Sequence, residues 1–197
     1  MPTNHRPTRD QLADAILRKL RDVIAPGLRV LFCGINPGLY STAAGHHFAR
    51  PGNRFWPALH ASGFTPRLFH PSQDRDLLDL GLGITNVVAR TTASADELTK
   101  AELQHGATLL RRKILRFQPA FLAIVGLGAY RTAFQQPTAS IGLQPASIGT
   151  ARLWLLPNPS GLNAHHRPSD LARLFGDLRA AVDLAGPPRP TARSRAT

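Results

Sequence analysis

The sequence predicts an α/β fold, a three-layer α/β/α sandwich around a mostly parallel sheet. Three observations carry that expectation. Four short runs, at 28–32, 84–88, 120–125 and 153–156, read as strands: those at 30–32, 120–125 and 153–156 are continuously apolar, and 84–88 has β-branched character in Ile84, Thr85, Val87 and Val88. Helical patterns separate them, which favours crossovers and parallel pairing over hairpins. After Val125 the chain passes through Gly126-Leu127-Gly128 directly into a helical pattern, the strand, turn, helix rhythm of such folds.

In chain order, residues 8–24 carry Leu12, Ala15, Ile16, Leu20, Val23 and Ile24 at spacings of three and four with Arg18, Lys19 and Arg21 between them, a pattern that predicts one amphipathic helix. Pro26-Gly27 ends it and leads into the first strand. A long connection follows from Asn36 to Phe48, a length that in a compact domain marks function or disorder. Asn53 is placed to cap a helix from Arg54 that carries Phe55, Trp56 and Leu59 and stops at Gly63. A further helix is predicted over 73–80, closed by Gly81, and a long one over 96–117, ended before Pro119. Arg111-Arg112-Lys113 on that helix reads as a solvated face. Residues 136–150, rich in Pro, Gly, Ser and Ala, predict a surface loop, and 169–184 a last helix with Leu171, Leu174, Phe175, Leu178 and Val182 on one face.

The 197 residues suffice for one core, with 1–25 as a basic N-terminal extension and helix, 26–185 as the folded domain and 186–197 as a disordered basic tail. Lys plus Arg number 24 against 12 Asp plus Glu, a formal charge of +12. Such a surface attracts phosphate polymers, although an arginine-rich genome produces the same imbalance. The single cysteine, Cys33, excludes a disulfide framework, a Cys-based zinc site and an iron–sulfur cluster, and its apolar strand points to a core thiol in a reducing compartment. No apolar run approaches the roughly 18–20 residues that span a bilayer, so a cytoplasmic protein is expected.

Two stretches stand out because they follow predicted strands, where ligands bind in open parallel sheets. They are Gly34-Ile35-Asn36-Pro37-Gly38 after the first and Asn158-Pro159-Ser160-Gly161-Leu162 after the last. The adjacent pairs His46-His47 and His165-His166 lack a Cys or carboxylate at ligand spacing, so no metal is expected. Gly126-Leu127-Gly128 has Arg131 where a dinucleotide fingerprint needs its third glycine, and close packing of a strand-to-helix turn is the better reading.

Taken together, in order and spacing from about residue 24 to 184, these two stretches, Phe48 and the segment Pro51-Gly52-Asn53-Arg54-Phe55-Trp56 resemble the mismatch-specific uracil-DNA glycosylases and their thymine-DNA glycosylase relatives. The resemblance implies a glycosylase domain over 26–185 that hydrolyses the N-glycosidic bond of uracil in mismatched double-stranded DNA, as a monomer and without metal or organic cofactor. It implies that Asn36 positions the attacking water and that Asn158 hydrogen-bonds the base O2, the alternative for Asn158 being to shape its loop. Phe48 would stack on the extruded base, with backbone amides near Ile35 and Phe48 reading its edge and Ser41 near the flipped nucleotide. Core packing for Phe48 and an ordinary turn serine for Ser41 are the plainer readings.

Ser160 would contact a phosphate, Gly161 the orphaned guanine, and Leu162 would fill the gap left by the departed base. The Arg that often follows that wedge is absent, so Arg167 or a histidine is the candidate to take over its contact. Asn86 stands where some relatives have Lys or Asp. A protein that kept this fold and binds DNA lesions without cleaving them is the alternative, and thymine or ethenocytosine removal depends on pocket clearances that sequence does not give.

Overall fold

The computed structural model describes residues 6–161 and 166–186, and within them five strands form one sheet in the order β2-β1-β3-β5-β4. The strands are β1 (Val30–Gly34), β2 (Leu82–Asn86), β3 (Phe121–Val125), β4 (Gly142–Ile148) and β5 (Ala151–Leu156). The pairs β1–β2, β1–β3 and β3–β5 are parallel, and β4 pairs antiparallel with β5 at the edge.

Alternation along the parallel strands makes the three layers. Val30, Phe32, Phe121, Ala123, Val125, Trp154 and Leu156 join one core cluster, while Leu31, Cys33, Leu122, Ile124, Leu153 and Leu155 join the other. Both faces are apolar because both are covered, which explains why the strands read as continuous hydrophobic runs. Helices α3 (Phe55–Ala61) and α6 (Pro168–Ala185) cover the first face, with Phe175 stacked on Phe32 and edge-on to Phe55. Helices α4 (Lys100–Phe117) and α5 (Leu127–Ala133) cover the second. Two shorter helices, α1 (Arg9–Asp14) and α2 (Leu39–Ala44), pack on each other outside the sheet. Cys33 is fully buried, and burial pushes its thiol far above the ordinary range, so it stays protonated as a core residue.

Several expectations need correction. The helix expected over 8–24 stops at Leu17, after α1 and a 3-10 turn, because the backbone beyond it finds tertiary partners: Val23 exchanges both hydrogen bonds with Ile84, at 2.9 and 2.7 Å. The surface loop expected over 136–150 contains β4. That strand tolerates Pro145 because it lies at the sheet edge, where the register also shifts, and the two-residue turn Gly149-Thr150 returns it to β5. The connection from Asn36 to Phe48 holds α2. The segment expected as a helix over 73–80 is a 3-10 stretch, Pro71–Leu80, closed by Gly81 at φ 68°. The long helix begins at Lys100, capped by Thr99, after a separate turn at Ala95–Glu97. Lys113 is not solvated like its neighbours Arg111 and Arg112: its Nζ meets Asp22 at 2.5 Å and donates to Thr85 Oγ1 at 2.8 Å.

The strand order reverses at β1 and β3, since the chain leaves β1 for β2 on one side and returns for β3 on the other. The crevice beyond the carboxyl ends of β1 and β3 is therefore where this topology leaves room for a ligand. Helix α4 approaches the rim of that crevice through Gly106, where a Cβ would sit 2.5 Å from the carbonyl oxygen of Val87. Replacing a helical glycine by alanine ordinarily stabilises by about 1 kcal/mol. Here Gly106→Ala is expected to lower the urea unfolding midpoint, because the obstacle is backbone and the helix has to back away.

Candidate functional site

A cavity of about 400 Å³ opens beyond the ends of β1, β3 and β5. Ile35, Asn36, Ser41, Phe48, Asn158 and Ser160, drawn from both unusual stretches and the connection between them, all line it. Gly161 lies beside it rather than in its wall. Arg167 is exposed as the N-cap residue of α6, its backbone N–H donating to Asp170 at 2.8 Å. Leu162 lies outside the described residues, as does the tail from 187 onward.

Asn36 is held through one end of its amide. Its Nδ2 donates to Thr92 Oγ1 at 2.7 Å, to the carbonyl of Arg90 at 3.0 Å and to that of Pro37 at 3.3 Å. Two of those partners are carbonyl oxygens, which can only accept, so the amide orientation is determined and Oδ1 is the end left to meet a ligand. Arg90 is itself fixed. Its Nε donates to Glu102 at 2.6 Å and its Nη2 to the Glu97 carbonyl at 3.0 Å, while Glu102 also closes the capping box of α4 with Thr99. The Arg90 hydrogen bond, with those from Thr99, holds the Glu102 carboxyl at about 2, so this support stays ionised through the physiological range.

The floor of the cavity depends on Gly34. A Cβ there would lie 2.5 Å from Asn86 Oδ1 and 3.3 Å from Phe48 Cζ, so Asn86, its register partner across β1–β2, and the Phe48 ring both sit directly over the glycine. Phe48 adopts φ 53°, an uncommon conformation for a bulky residue, and stacks one face on Phe55 with centroids 4.1 Å apart. It therefore packs against the core and lines the cavity at once. Ser41 Oγ accepts from Ala49 N–H at 3.1 Å, so its hydroxyl braces the turn that carries Phe48. Ile35 packs on Gly126, where an added Cβ would stand 2.9 Å from its Cγ1, so close packing accounts for Gly126 but not for Gly128, which has open space at that position.

The second loop is set by the segment before α3. Asn158 Oδ1 accepts from Ser160 N–H at 3.0 Å, closing a local turn. Arg54 N–H donates to the Pro159 carbonyl at 2.9 Å, and its guanidinium reaches the carbonyls of Ser160 at 2.6 Å and His166 at 2.5 Å. Gly161 lies against Gly52, with the Gly52 carbonyl 2.5 Å from where a Cβ would be. Arg54 so ties the loop on both sides of residues 162–165, and it does so with the fork geometry that only a guanidinium supplies. The sequence shows Arg54 inside the segment Pro51-Gly52-Asn53-Arg54-Phe55-Trp56 but gives no sign that its partners are backbone carbonyls. Thr92 and Arg90, in a stretch that reads only as a Thr- and Ala-rich loop, left no local signal either.

Of the adjacent histidine pairs, His46 and His47 turn to different partners, and His165 lies outside the described residues. His46 Nδ1 lies 3.3 Å from buried Asp74, whereas His47 Nε2 points to the Arg21 carbonyl at 3.0 Å. Burial lowers the His47 pKa from its ordinary 6.5, outweighing the Arg21 carbonyl and the Asp74 charge, and the ring is neutral with its proton on Nε2. A histidine depressed in the folded state adds stability that is complete above 6.5 and is lost as pH falls below it towards the folded value. The urea midpoint is therefore expected to drop between pH 7.5 and 5.5, and His47→Gln, whose amide can still donate to Arg21, is expected to show a smaller drop over the same window.

The family model of the uracil DNA glycosylase superfamily matches this chain over residues 21–179. The match takes in all five strands, both loops and most of α6.

Proposed function

The chain belongs to the uracil DNA glycosylase superfamily, whose members are base-excision repair hydrolases acting on DNA, and on that premise we propose that it removes uracil from G·U mismatches in duplex DNA as a monofunctional enzyme. The observation that carries the mechanism is the one-ended hold on Asn36.

With Nδ2 committed to Thr92 and two carbonyls, Oδ1 accepts a hydrogen bond from a water and aims that water's oxygen at C1′ of the flipped nucleotide. An amide does not take a proton at neutral pH, so it orients and polarises rather than acts as a base. The bond between C1′ and the base nitrogen then breaks first, its electron pair leaving with the uracil and an oxocarbenium-like sugar forming. The water oxygen bonds to C1′, and the proton it sheds goes to solvent or to the departing base. Asn158 already uses Oδ1 on Ser160 N–H, so a contact to the base O2, where negative charge develops, would be a donation from Nδ2. Phe48 offers the extruded base its face away from Phe55, an arrangement worth ~1–3 kcal/mol per stacked base in single-strand binders.

Duplex specificity enters through the second loop. Ser160 would reach a backbone phosphate, Gly161 and Arg167 the unpaired guanine, and Leu162 the vacated space in the stack. A mismatched uracil costs less to extract than a paired one, which favours G·U over A·U. Ser41, bracing the turn under Phe48, sets the clearance on that side of the base.

Asn36→Ala is expected to lower the single-turnover excision rate on a duplex with one G·U pair by roughly a hundredfold or more while leaving duplex affinity in place. Equal rates for the two proteins would remove Asn36 from the mechanism. Binding without cleavage by the wild type would make the protein a lesion binder.

A further inference from the structure

Between α1 and β1 the chain runs as a strap that is pinned at four points within six residues, three through its backbone and one through the side chain of Asp22. The Arg18 carbonyl accepts from Thr91 Oγ1 at 3.0 Å, the Arg21 carbonyl from His47 Nε2 at 3.0 Å, Asp22 pairs with Lys113 at 2.5 Å and Val23 pairs with Ile84. The side chains of Arg18, Lys19 and Arg21 are left exposed, and none has a carboxylate partner among the described residues. They line a cleft of about 340 Å³ together with His46 and exposed Arg75. Asp74 also lines it, but that carboxylate is buried and accepts from the His47 backbone N–H at 3.2 Å.

Holding four exposed cations around one cleft is unfavourable unless an anion neutralises them, and a cleft focuses their field. Leu20 lines both this cleft and the cavity that holds Asn36, so the two open side by side. Exposed Arg50 lines the neighbouring cavity as well, which extends the positive rim across the boundary. We infer that the 18–21 strap, with Arg75, is a rail for backbone phosphates of the DNA strand next to the flipped nucleotide. The choice of DNA as the anion rests on the function proposed above. The side chains supply charge, and the pinned backbone spares the cost of ordering the main chain when DNA arrives.

The test is the salt dependence of binding by the full chain to a duplex bearing a tetrahydrofuran abasic analogue opposite guanine, a probe with no base to excise. The variant is Arg18→Gln/Lys19→Gln/Arg21→Gln. The control is Arg111→Gln/Arg112→Gln/Arg116→Gln, an equal loss of exposed charge from the second half of α4, which runs back towards the opposite end of the sheet. Each lost phosphate contact lowers the slope of log K against log salt by about 0.9, so the strap variant is expected to lose roughly two to three in slope and the α4 control well under one. Unchanged slope in the strap variant, or an equal fall in both, would overturn the inference, with melting temperatures confirming that each variant is folded. A fall confined to the strap variant in a protein that excises no uracil would support the rail and overturn the activity. Excision with no change in slope would overturn the rail alone.

Discussion

Asn36 donates from Nδ2 to Thr92 and to the carbonyls of Arg90 and Pro37, and turning its amide over would set Oδ1 against two oxygens that cannot donate. Asn36 is half-buried, and three donations exchanged for two oxygen–oxygen contacts leave the amide one stable orientation. The elements around it serve that orientation. Arg90 reaches its place through Glu102, which also closes the capping box of α4 with Thr99, so the helix end and the segment that holds Asn36 are fixed by one carboxylate. Thr92 belongs to the segment that pairs with Pro37 and Leu39, which brings the residues after β2 alongside the loop after β1.

The sheet brings the other half of the site. Strands β1, β3 and β5 end on the same side, and the two loops that follow β1 and β5 meet there although more than a hundred residues separate them in the chain. Arg54 ties the second of them to α3. It stands at the start of α3, the helix whose Phe55 supports Phe48, and it grips the carbonyls of the Asn158 loop. Displacement of α3 would therefore move the Phe48 ring and the second loop together, which makes the cavity wall one unit rather than two adjoining loops.

What the sequence made legible follows from what is local. Strands β1, β3 and β5 were readable because burial on both faces leaves a nearly continuous apolar run, and β2 through its β-branched residues, although β1 runs 30–34 rather than 28–32 and β2 82–86 rather than 84–88; the loops at their ends were readable because Gly, Asn and Pro there have few other uses. Strand β4 was not, since an edge strand with Pro145 and mostly exposed side chains carries neither apolar continuity nor alternation. The helix expected over 8–24 was misjudged because its periodicity was real but the backbone of 18–23 is claimed by Thr91, His47 and Ile84, residues far away in sequence. The same limit applies to the site. Ile35, Asn36, Ser41, Phe48, Asn158 and Ser160 do gather at one cavity, but the Arg90 carbonyl and the Thr92 hydroxyl that hold Asn36, and the Arg54 guanidinium that grips carbonyls of the second loop, are contacts that no spacing reveals.

The account stands most directly on the claim that the Nδ2 hold on Asn36 sets the rate without setting the affinity. Thr92→Val keeps the shape of a fully buried side chain and removes only the hydroxyl that receives the shortest of the three bonds. Single-turnover excision of uracil from a G·U duplex, measured beside equilibrium binding of the same duplex, is the decisive comparison. The account predicts a rate roughly tenfold lower, the worth of one hydrogen bond, with affinity unchanged. An unchanged rate, or a loss confined to affinity, would contradict it.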